Sequence, residues 1–375
     1  MKIRAAVLRQ SPVVPPFAMS RPLSIEELDL DPPEREEILV RIGAAGLCHS
    51  DLSVINGDRP RPMPMALGHE AAGVVEAVGP GVHDLVPGDH VVMSFVPSCG
   101  HCLACAEGRP ALCVPGAEAN GKGTLLSGER RLVCDEVPVN HHLGVSGFAT
   151  HAVVSRYSAV KIDRDLPLAE AALFGCAVLT GVGAVVNTCK VQPGQSVAVV
   201  GLGGVGLAAV LGALASGAER VIAVDLAPAK LELALKLGAT DVFLASDVDV
   251  IEKIREVTGG GVDHAVEMAG STRAFDLAYR ITRRGGITAT AGLANPVSQF
   301  AIPAVSLVAE ERRVLGSYLG GCVPARDIPR FIGLYRRGKL PVDRLLSSTG
   351  PLEEINEAFD LLHEGKVIRH VITFQ

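Results

Sequence analysis

The sequence predicts a two-domain α/β protein, in which a mostly-β domain precedes a domain built on a doubly wound parallel sheet. Three observations point to this fold class: short apolar runs separated by Gly and Pro in residues 1–177, a β-α-β rhythm in 178–320, and a glycine-rich turn after the first strand of that rhythm. The 375 residues are enough for two domains. We expect residues 321–375 to return to the first domain.

Strands of the first domain are predicted where apolar residues run together between turn-forming residues. These runs are Ile38–Ile42, Ala72–Val78, His90–Met93 and Ala152–Val154. Gly and Pro between them favour turns over continued strands or helices.

The second domain alternates apolar strands with helical stretches, which is typical of a parallel sheet. Strands are predicted at 197–200, 221–224, 264–267, 287–291 and 314–317, and helices at 205–217, 228–237 and 272–282. In the last segment we expect helices near 326–337 and 353–363 and a final strand at Val367–Phe374.

Charge and composition exclude several classes of partner. The net charge is -6 and no basic run exceeds three residues, so a nucleic-acid partner is not expected. Two uncharged 19-residue stretches, Val197–Ala215 and Ala171–Cys189, approach the length of a membrane span. Both contain glycines, and a buried strand followed by a helix explains the first one better, so no membrane partner is expected. Because Met1–Arg4 lacks the apolar run of a signal peptide, we expect a cytoplasmic protein.

A four-cysteine lobe at residues 97–115 is the most compact motif. Its cysteines are Cys99, Cys102, Cys105 and Cys113. Four thiolates close a tetrahedral zinc site with no position left for water, so we expect this zinc to be structural. Nine cysteines in a chain without a secretion signal favour metal ligands over disulfides.

A dinucleotide site is predicted at the glycine-rich turn Gly201-Leu202-Gly203-Gly204-Val205-Gly206. The pattern follows an apolar strand and opens a helix, which is the context that gives G-x-G-x-x-G its meaning. The first glycine permits the turn, the second admits the pyrophosphate, and Gly206 allows close helix packing.

An acid, Asp225, ends the next strand of that unit. It should accept hydrogen bonds from the ribose hydroxyls and repel a 2′-phosphate, so the sequence predicts NAD rather than NADP. Lys230 is one helical turn further on and is either a second ribose contact or an ordinary exposed lysine.

A second, open metal site is indicated by one imidazole and two thiols, at Cys48, His69 and Cys176. A Cys₂His zinc set leaves a fourth position for water or substrate. Because the three residues are far apart in sequence, the residues alone leave open that each is an ordinary buried side chain.

These residues and their surroundings resemble the zinc-dependent alcohol dehydrogenases of the medium-chain dehydrogenase/reductase family. The stretch Gly68-His69-Glu70-Ala71-Ala72-Gly73 with Gly79 matches the family's zinc signature, and the other motifs follow in family order. The resemblance implies a GroES-like catalytic domain over 1–177, a Rossmann NAD-binding domain over 178–320, and two zinc ions per chain.

The resemblance also implies the roles of residues around the open site. Cys48, His69 and Cys176 would hold the catalytic zinc. Ser50 would take the alcohol proton, Asp51 would orient His69, and Glu70 would lie behind the metal.

Further positions match the family's cofactor contacts. His49 and Arg369 would be cations against the pyrophosphate, and Thr180 and Val205 would press on the nicotinamide.

Three departures from the family narrow the activity. Ser53 stands where a histidine usually continues the proton relay, so the exit route for the proton is not identified. Glutathione-dependent relatives usually carry an acid and an arginine at the positions of Arg59 and Ala117, which argues against that activity. Polyol dehydrogenases usually have glutamate in place of Cys176 and often lack the four-cysteine lobe, so both features argue against a polyol dehydrogenase.

The substrate pocket is predicted from four positions, namely Phe95, His142, Leu293 and Ala294. Phe95 is consistent with an apolar or aromatic alcohol, while His142 replaces a typical aromatic. Each of the four is equally compatible with ordinary core or loop packing.

The leading hypothesis is therefore a homodimeric, NAD-dependent zinc alcohol dehydrogenase that interconverts a medium-sized primary alcohol and its aldehyde. Its subunits would pair through the strand near 314–319. One alternative is a zinc enzyme acting on secondary alcohols or polyols. The other is a non-catalytic redox sensor that binds zinc and NADH.

Overall fold

The computed structural model describes residues 1–374. They divide into two compact units: one contains Met1–Cys176, Val323–Pro329 and Leu346 onward, and the other contains Ala177–Cys322 with Arg330–Leu345. Residues 330–345 cluster with the second unit, which differs from the prediction that all of 321–375 returns to the first domain.

The first unit begins with ten strands and five short helices. The strands are β1 (Lys2–Leu8), β2 (Leu23–Leu30), β3 (Glu37–Gly46), β4 (Met65–Ala66), β5 (Glu70–Val78), β6 (His90–Met93), β7 (Leu132–Cys134), β8 (Val137–His141), β9 (His151–Ser155) and β10 (Ala159–Ile162). The helices are α1 (Phe17–Ser20), α2 (His49–Ile55), α3 (Leu103–Ala106), α4 (Val114–Lys122) and α5 (Leu168–Ala172).

The second unit supplies six strands and six helices. The strands are β11 (Ser196–Val200), β12 (Arg220–Asp225), β13 (Asp241–Leu244), β14 (Val262–Glu267), β15 (Thr282–Thr290) and β16 (Arg313–Gly316). The helices are α6 (Ala177–Gly183, continued by a π-helical turn, Ala184–Cys189), α7 (Gly204–Ala215), α8 (Pro228–Leu237), α9 (Val250–Val257), α10 (Thr272–Ile281) and α11 (Ala304–Ala309).

The chain ends with α12 (Pro324–Arg336), β17 (Ser348–Gly350), α13 (Ile355–His363) and β18 (His370–Thr373). The last strand begins three residues later than predicted. Ile368 and Arg369 donate their backbone N–H groups to Ser347 Oγ at 2.9 and 3.4 Å, so they are engaged by a side chain before the ladder begins.

Two sheets build the first unit. A closed barrel has the order β1-β2-β7-β8-β4, and a larger sheet has the order β10-β6-β5-β3-β18-β17, with β9 also paired to β3. The β18–β3 pairing joins Val371–Thr373 to Ala44–Gly46, so the C-terminal strand lies beside the residues that lead into Cys48. The hydrophobic core of the first unit contains Phe148, Phe359 and other fully buried side chains.

The second unit is a parallel six-stranded sheet of order β13-β12-β11-β14-β15-β16. This doubly wound order places the carboxyl ends of β11 and β12 at one edge, where such folds bind ligands. The predicted fold class is confirmed. Neither β13 nor α9 was predicted from the sequence.

Among residues 1–374, no single helix has both the length and the apolar character to cross a membrane. The segments Leu168–Gly175 and Ala177–Cys189 meet that test only when taken together, and they are bent by 51° at their junction.

Candidate functional site

Three residues from separate elements of the first unit converge on one point. Cys48 precedes the first residue of α2, His69 lies between β4 and β5, and Cys176 follows a one-turn helix after α5. Their ligand atoms all lie within 4.8 Å of one another, and all three side chains are buried. The structure therefore brings together the three residues that the sequence analysis selected.

The imidazole of His69 is oriented for metal binding. Nδ1 lies 3.1 Å from Asp51 Oδ1, which assigns the ring proton to that nitrogen. Nε2 is buried and has no hydrogen-bond partner among the described residues. A buried lone pair facing two sulfurs is a costly arrangement unless a cation accepts it. The donor set fits a zinc ion with a fourth position left open.

A hydrogen bond joins the side chains of Cys48 and Cys176 and favours ionisation of only one of the two thiols. A hydrogen bond from the Cys176 thiol holds the pKa of Cys48 well below its usual value, and the Arg369 cation acts in the same direction against the effect of burial. The same hydrogen bond raises the pKa of Cys176. One sulfur is thus readily ionised, and a metal cation would displace the proton held on the other.

Arg369 and Glu70 lie behind the three ligand residues. Arg369 is 2% exposed and donates from Nη1 to the Leu47 carbonyl at 2.8 Å, with the same nitrogen 3.6 Å from Glu70 Oε2. Burial raises the pKa of Glu70 to about 7, although the Arg369 cation opposes that rise. The structure therefore places Arg369 beside this candidate metal site, and its contact with the pyrophosphate stays a prediction.

Asp51 connects the backbone of both ligand segments. Its Oδ2 accepts the Cys48 N–H at 3.2 Å, and its Oδ1 accepts the Gly68 N–H at 3.2 Å. The carboxylate is completely buried. It thereby holds the segments that carry Cys48 and His69 in register while orienting the His69 ring.

Two aromatic rings meet His69 edge-on. The ring centroids of Phe95 and His142 each lie 5.4 Å from that of His69, at interplanar angles of 90° and 88°. Leu293 is 51% exposed and, with Ala294, belongs to the second unit. The structure thus joins two of the four predicted pocket residues to the metal centre and describes the other two in a separate unit.

Ser50 lies on the first turn of α2 with Oγ 3.7 Å from Cys48 Sγ. His49 is exposed at the start of the same helix. Ser53 donates its hydroxyl to the His49 carbonyl at 2.8 Å, so it bonds back to its own helix.

The four cysteines of the 97–115 lobe form the second metal-capable cluster. Their sulfurs lie within 4.8 Å of one another. Backbone N–H groups of Cys99 and Gly116 approach Cys113 Sγ at 3.2 and 3.4 Å, and backbone N–H groups lower the pKa of Cys102 to about 6. Such donors stabilise thiolates, so the cluster fits a closed zinc site.

The glycine-rich turn has the geometry that a dinucleotide requires. Gly201 has φ +95°, and a Cβ there would lie 2.7 Å from the Ala269 nitrogen. A Cβ on Gly206 would lie 1.8 Å from the Gly201 oxygen, whereas one on Gly203 would meet open space at the start of α7. The open position at a helix N-terminus with free approach to the backbone is suited to a pyrophosphate.

Asp225 ends β12 beside this turn. Its carboxylate accepts the N–H groups of Leu202 at 2.6 Å and Ala227 at 2.9 Å. Lys230 is half-buried on the first turn of α8. The acid therefore also supports the glycine turn, a role that the sequence analysis did not predict.

Thr180 and Val205 lie on two tightly packed helices, α6 and α7. A Cβ on Gly181 would come 2.2 Å from the Val205 oxygen, so these helices touch at the backbone. Val205 is therefore in the first turn of α7, beside the glycine turn, and Thr180 precedes Gly181 on the helix packed against it.

Glu267 is a further organising residue that the sequence analysis missed. Its buried carboxylate accepts the N–H groups of Ala269 at 2.8 Å and Gly270 at 2.6 Å and the Thr290 hydroxyl at 2.7 Å. It thereby ties the loops after β14 and β15 together. The sequence signal for this role was an acid, Glu267, at the end of a buried strand, with Gly270 three residues later.

Comparison with known proteins relates these sites to one family. Residues 34–164 match the alcohol dehydrogenase GroES-like domain, and residues 204–336 match the zinc-binding dehydrogenase domain. The chain is 40% identical to an S-(hydroxymethyl)glutathione dehydrogenase of Synechocystis sp., with all of both chains covered.

Two solved structures are similar over the whole chain. One is an alcohol dehydrogenase zinc-binding domain protein from Burkholderia ambifaria, at 37% identity and a TM-score of 0.94, with 100% of this chain and 99% of that one covered. The other is benzyl alcohol dehydrogenase from Acinetobacter calcoaceticus, at 34% identity and a TM-score of 0.93, with all of both chains covered.

Proposed function

Because this chain belongs to the zinc-dependent, NAD-dependent alcohol dehydrogenases of the medium-chain dehydrogenase/reductase family, we propose that it interconverts a medium-sized apolar or aromatic primary alcohol and its aldehyde. The observation that carries this proposal is the buried Cys-His-Cys set, with the unpartnered Nε2 of His69 facing two sulfurs and the Phe95 ring beside it. Similarity to benzyl alcohol dehydrogenase from Acinetobacter calcoaceticus over the whole chain supports an aromatic substrate.

The chemistry divides between the bound groups and the chain. When bound, zinc supplies a Lewis-acid position for the alcohol oxygen and NAD supplies the hydride acceptor. Cys48, His69 and Cys176 hold the metal. Ser50 would relay the alcohol proton, accepting it on Oγ while its own hydroxyl proton passes to solvent, and Asp51 keeps the His69 ring oriented.

The second unit binds the cofactor in this proposal. The turn from Gly201 to Gly206 receives the pyrophosphate on backbone N–H groups at the start of α7. Asp225 accepts hydrogen bonds from the ribose hydroxyls, with Lys230 beside it.

A second candidate substrate is S-(hydroxymethyl)glutathione. The 40% identity to the Synechocystis enzyme over the whole chain favours it. Arg59 and Ala117 disfavour it, since they stand where glutathione-dependent members carry an acid and an arginine. We rank the apolar or aromatic alcohol first, because the charged groups of S-(hydroxymethyl)glutathione would lack the acid and the arginine that bind them in glutathione-dependent members.

A substrate panel with NAD separates the candidates. We expect the highest kcat/KM with benzyl alcohol or a linear primary alcohol of similar size, and much lower values with a secondary alcohol, a polyol and S-(hydroxymethyl)glutathione. A value for S-(hydroxymethyl)glutathione above that of every simple alcohol would reverse the ranking.

We further propose a homodimer that works in a reducing compartment such as the cytoplasm. β16 lies at the end of the six-stranded sheet, and Val305 and Val308 nearby in sequence are 72% and 81% exposed. A second copy pairing along this edge would cover a strand that otherwise invites non-specific pairing. The six cysteines assigned to metal also have to stay reduced. Light scattering that gives the mass of a single chain would contradict the dimer.

A further inference from the structure

Two imidazoles, those of His69 and His142, approach one carboxylate oxygen at the metal centre. Asp51 Oδ1 lies 3.1 Å from Nδ1 of His69 and 3.1 Å from Nδ1 of His142. His142 is 1% exposed. Its Nδ1 faces a carboxylate, so we assign the proton to that nitrogen, because a lone pair there would be repelled.

The contact from His142 is close but bent. Nδ1 does not reach hydrogen-bond geometry with any described residue, although Oδ1 is within range. The N–H dipole therefore acts on Asp51 Oδ1 electrostatically rather than through a linear hydrogen bond.

Asp51 does not depend on His142 for its position. Backbone N–H groups of Cys48 and Gly68 already bind its two oxygens, each at 3.2 Å. Removing the His142 nitrogen would therefore leave the carboxylate in place and change only the charge that it presents to His69.

We propose that His142 is a positioning residue that draws the charge of Asp51 away from His69 and so weakens the metal–histidine bond. A carboxylate that accepts the ring proton makes a ligating imidazole a stronger donor. Sharing Oδ1 with a second imidazole would reduce that effect, so a zinc ion held here would be more electron-poor and a stronger Lewis acid. The inference rests on the proposed metal-binding role of His69.

Three variants isolate this effect. His142→Phe keeps a ring against His69 but removes the nitrogen, and His142→Asn keeps an N–H donor near the Nδ1 position. Phe95→Leu removes the other ring contact to His69 and leaves the Asp51 environment unchanged. Zinc affinity is measured by chelator competition at one pH, and the phase that is absent from His69→Ala identifies the ions bound at this site.

The expected result is zinc binding about threefold to tenfold tighter in His142→Phe, below the 10- to 100-fold effects of removing an outer-shell partner altogether. His142→Asn and Phe95→Leu should retain wild-type affinity. With cobalt(II) at the same site, the ligand-field absorption of His142→Phe should move to higher energy, because His69 becomes a stronger donor.

Unchanged or weaker zinc binding in His142→Phe, or an unshifted cobalt spectrum, would overturn the inference. Failure of the proposed metal-binding role of His69 gives a different result, because the wild-type protein would then hold one zinc ion per chain, and His69→Ala would remove none.

Discussion

At the scale of single residues, the structure agrees best with the predictions that rested on side-chain chemistry, as for the metal-ligating residues. Cys48, His69 and Cys176 are found together, and the buried Nε2 of His69 lacks a hydrogen-bond partner among the described residues, which a metal ion would supply. The His142 contact with Asp51 was not predictable, since 91 positions separate the two residues and nothing local encodes their approach.

The role of Cys176 is tested by Cys176→Ala. Alanine fills the space of the side chain's first carbon but donates no electron pair, so we expect a folded protein with roughly half the wild-type zinc and negligible turnover. Zinc content and NADH formation measure the two effects.

Cys134→Ala is the matched control, because Cys134 is half-buried and lies outside both metal clusters. It should keep all of its zinc and activity. Full turnover in Cys176→Ala would remove Cys176 from the ligand set.

At the scale of elements, hydrophobic pattern predicted five of the six strands of the parallel sheet. β13 was missed because it is four residues long and half-buried throughout. β1 and β2 were missed because charged residues interrupt their apolar positions, as in Leu23–Leu30, and pairing between distant segments satisfies their backbones. Local pattern therefore identified strands with an uninterrupted apolar run and not those in which charged residues alternate with apolar ones.

Asp225→Gly tests the strand-end acid. Loss of the carboxylate removes the repulsion of a 2′-phosphate, which is worth about 1 kcal/mol or more at contact distance. We expect the NAD/NADP ratio of kcat/KM to fall at least about fivefold. Because the Leu202 N–H loses its acceptor, KM for both cofactors should also rise.

Asp247→Gly provides the comparison, since Asp247 is an acid of the same unit whose carboxylate pairs with exposed Lys253. Its cofactor ratio should match the wild type. An unchanged ratio in Asp225→Gly would show that this acid does not select the cofactor.

At the scale of the whole molecule, the first unit contains residues from both the N-terminal and the C-terminal part of the chain. β18 pairs with the end of β3, immediately before Cys48, and Arg369 just ahead of it bonds the Leu47 carbonyl. The sequence predicted this return of residues 321–375 to the first domain. It did not anticipate that residues 330–345 cluster with the second unit, because contact partners across such distances leave no local signal.

The central claim is that a zinc ion binds where Cys48, His69 and Cys176 meet, in addition to the zinc of the four-cysteine lobe. Anomalous diffraction at the zinc edge on crystals of the purified protein tests it most directly. We predict two peaks per chain, one among those three residues and one among Cys99, Cys102, Cys105 and Cys113. A single peak in the lobe, or a second peak away from His69 Nε2, would contradict the account.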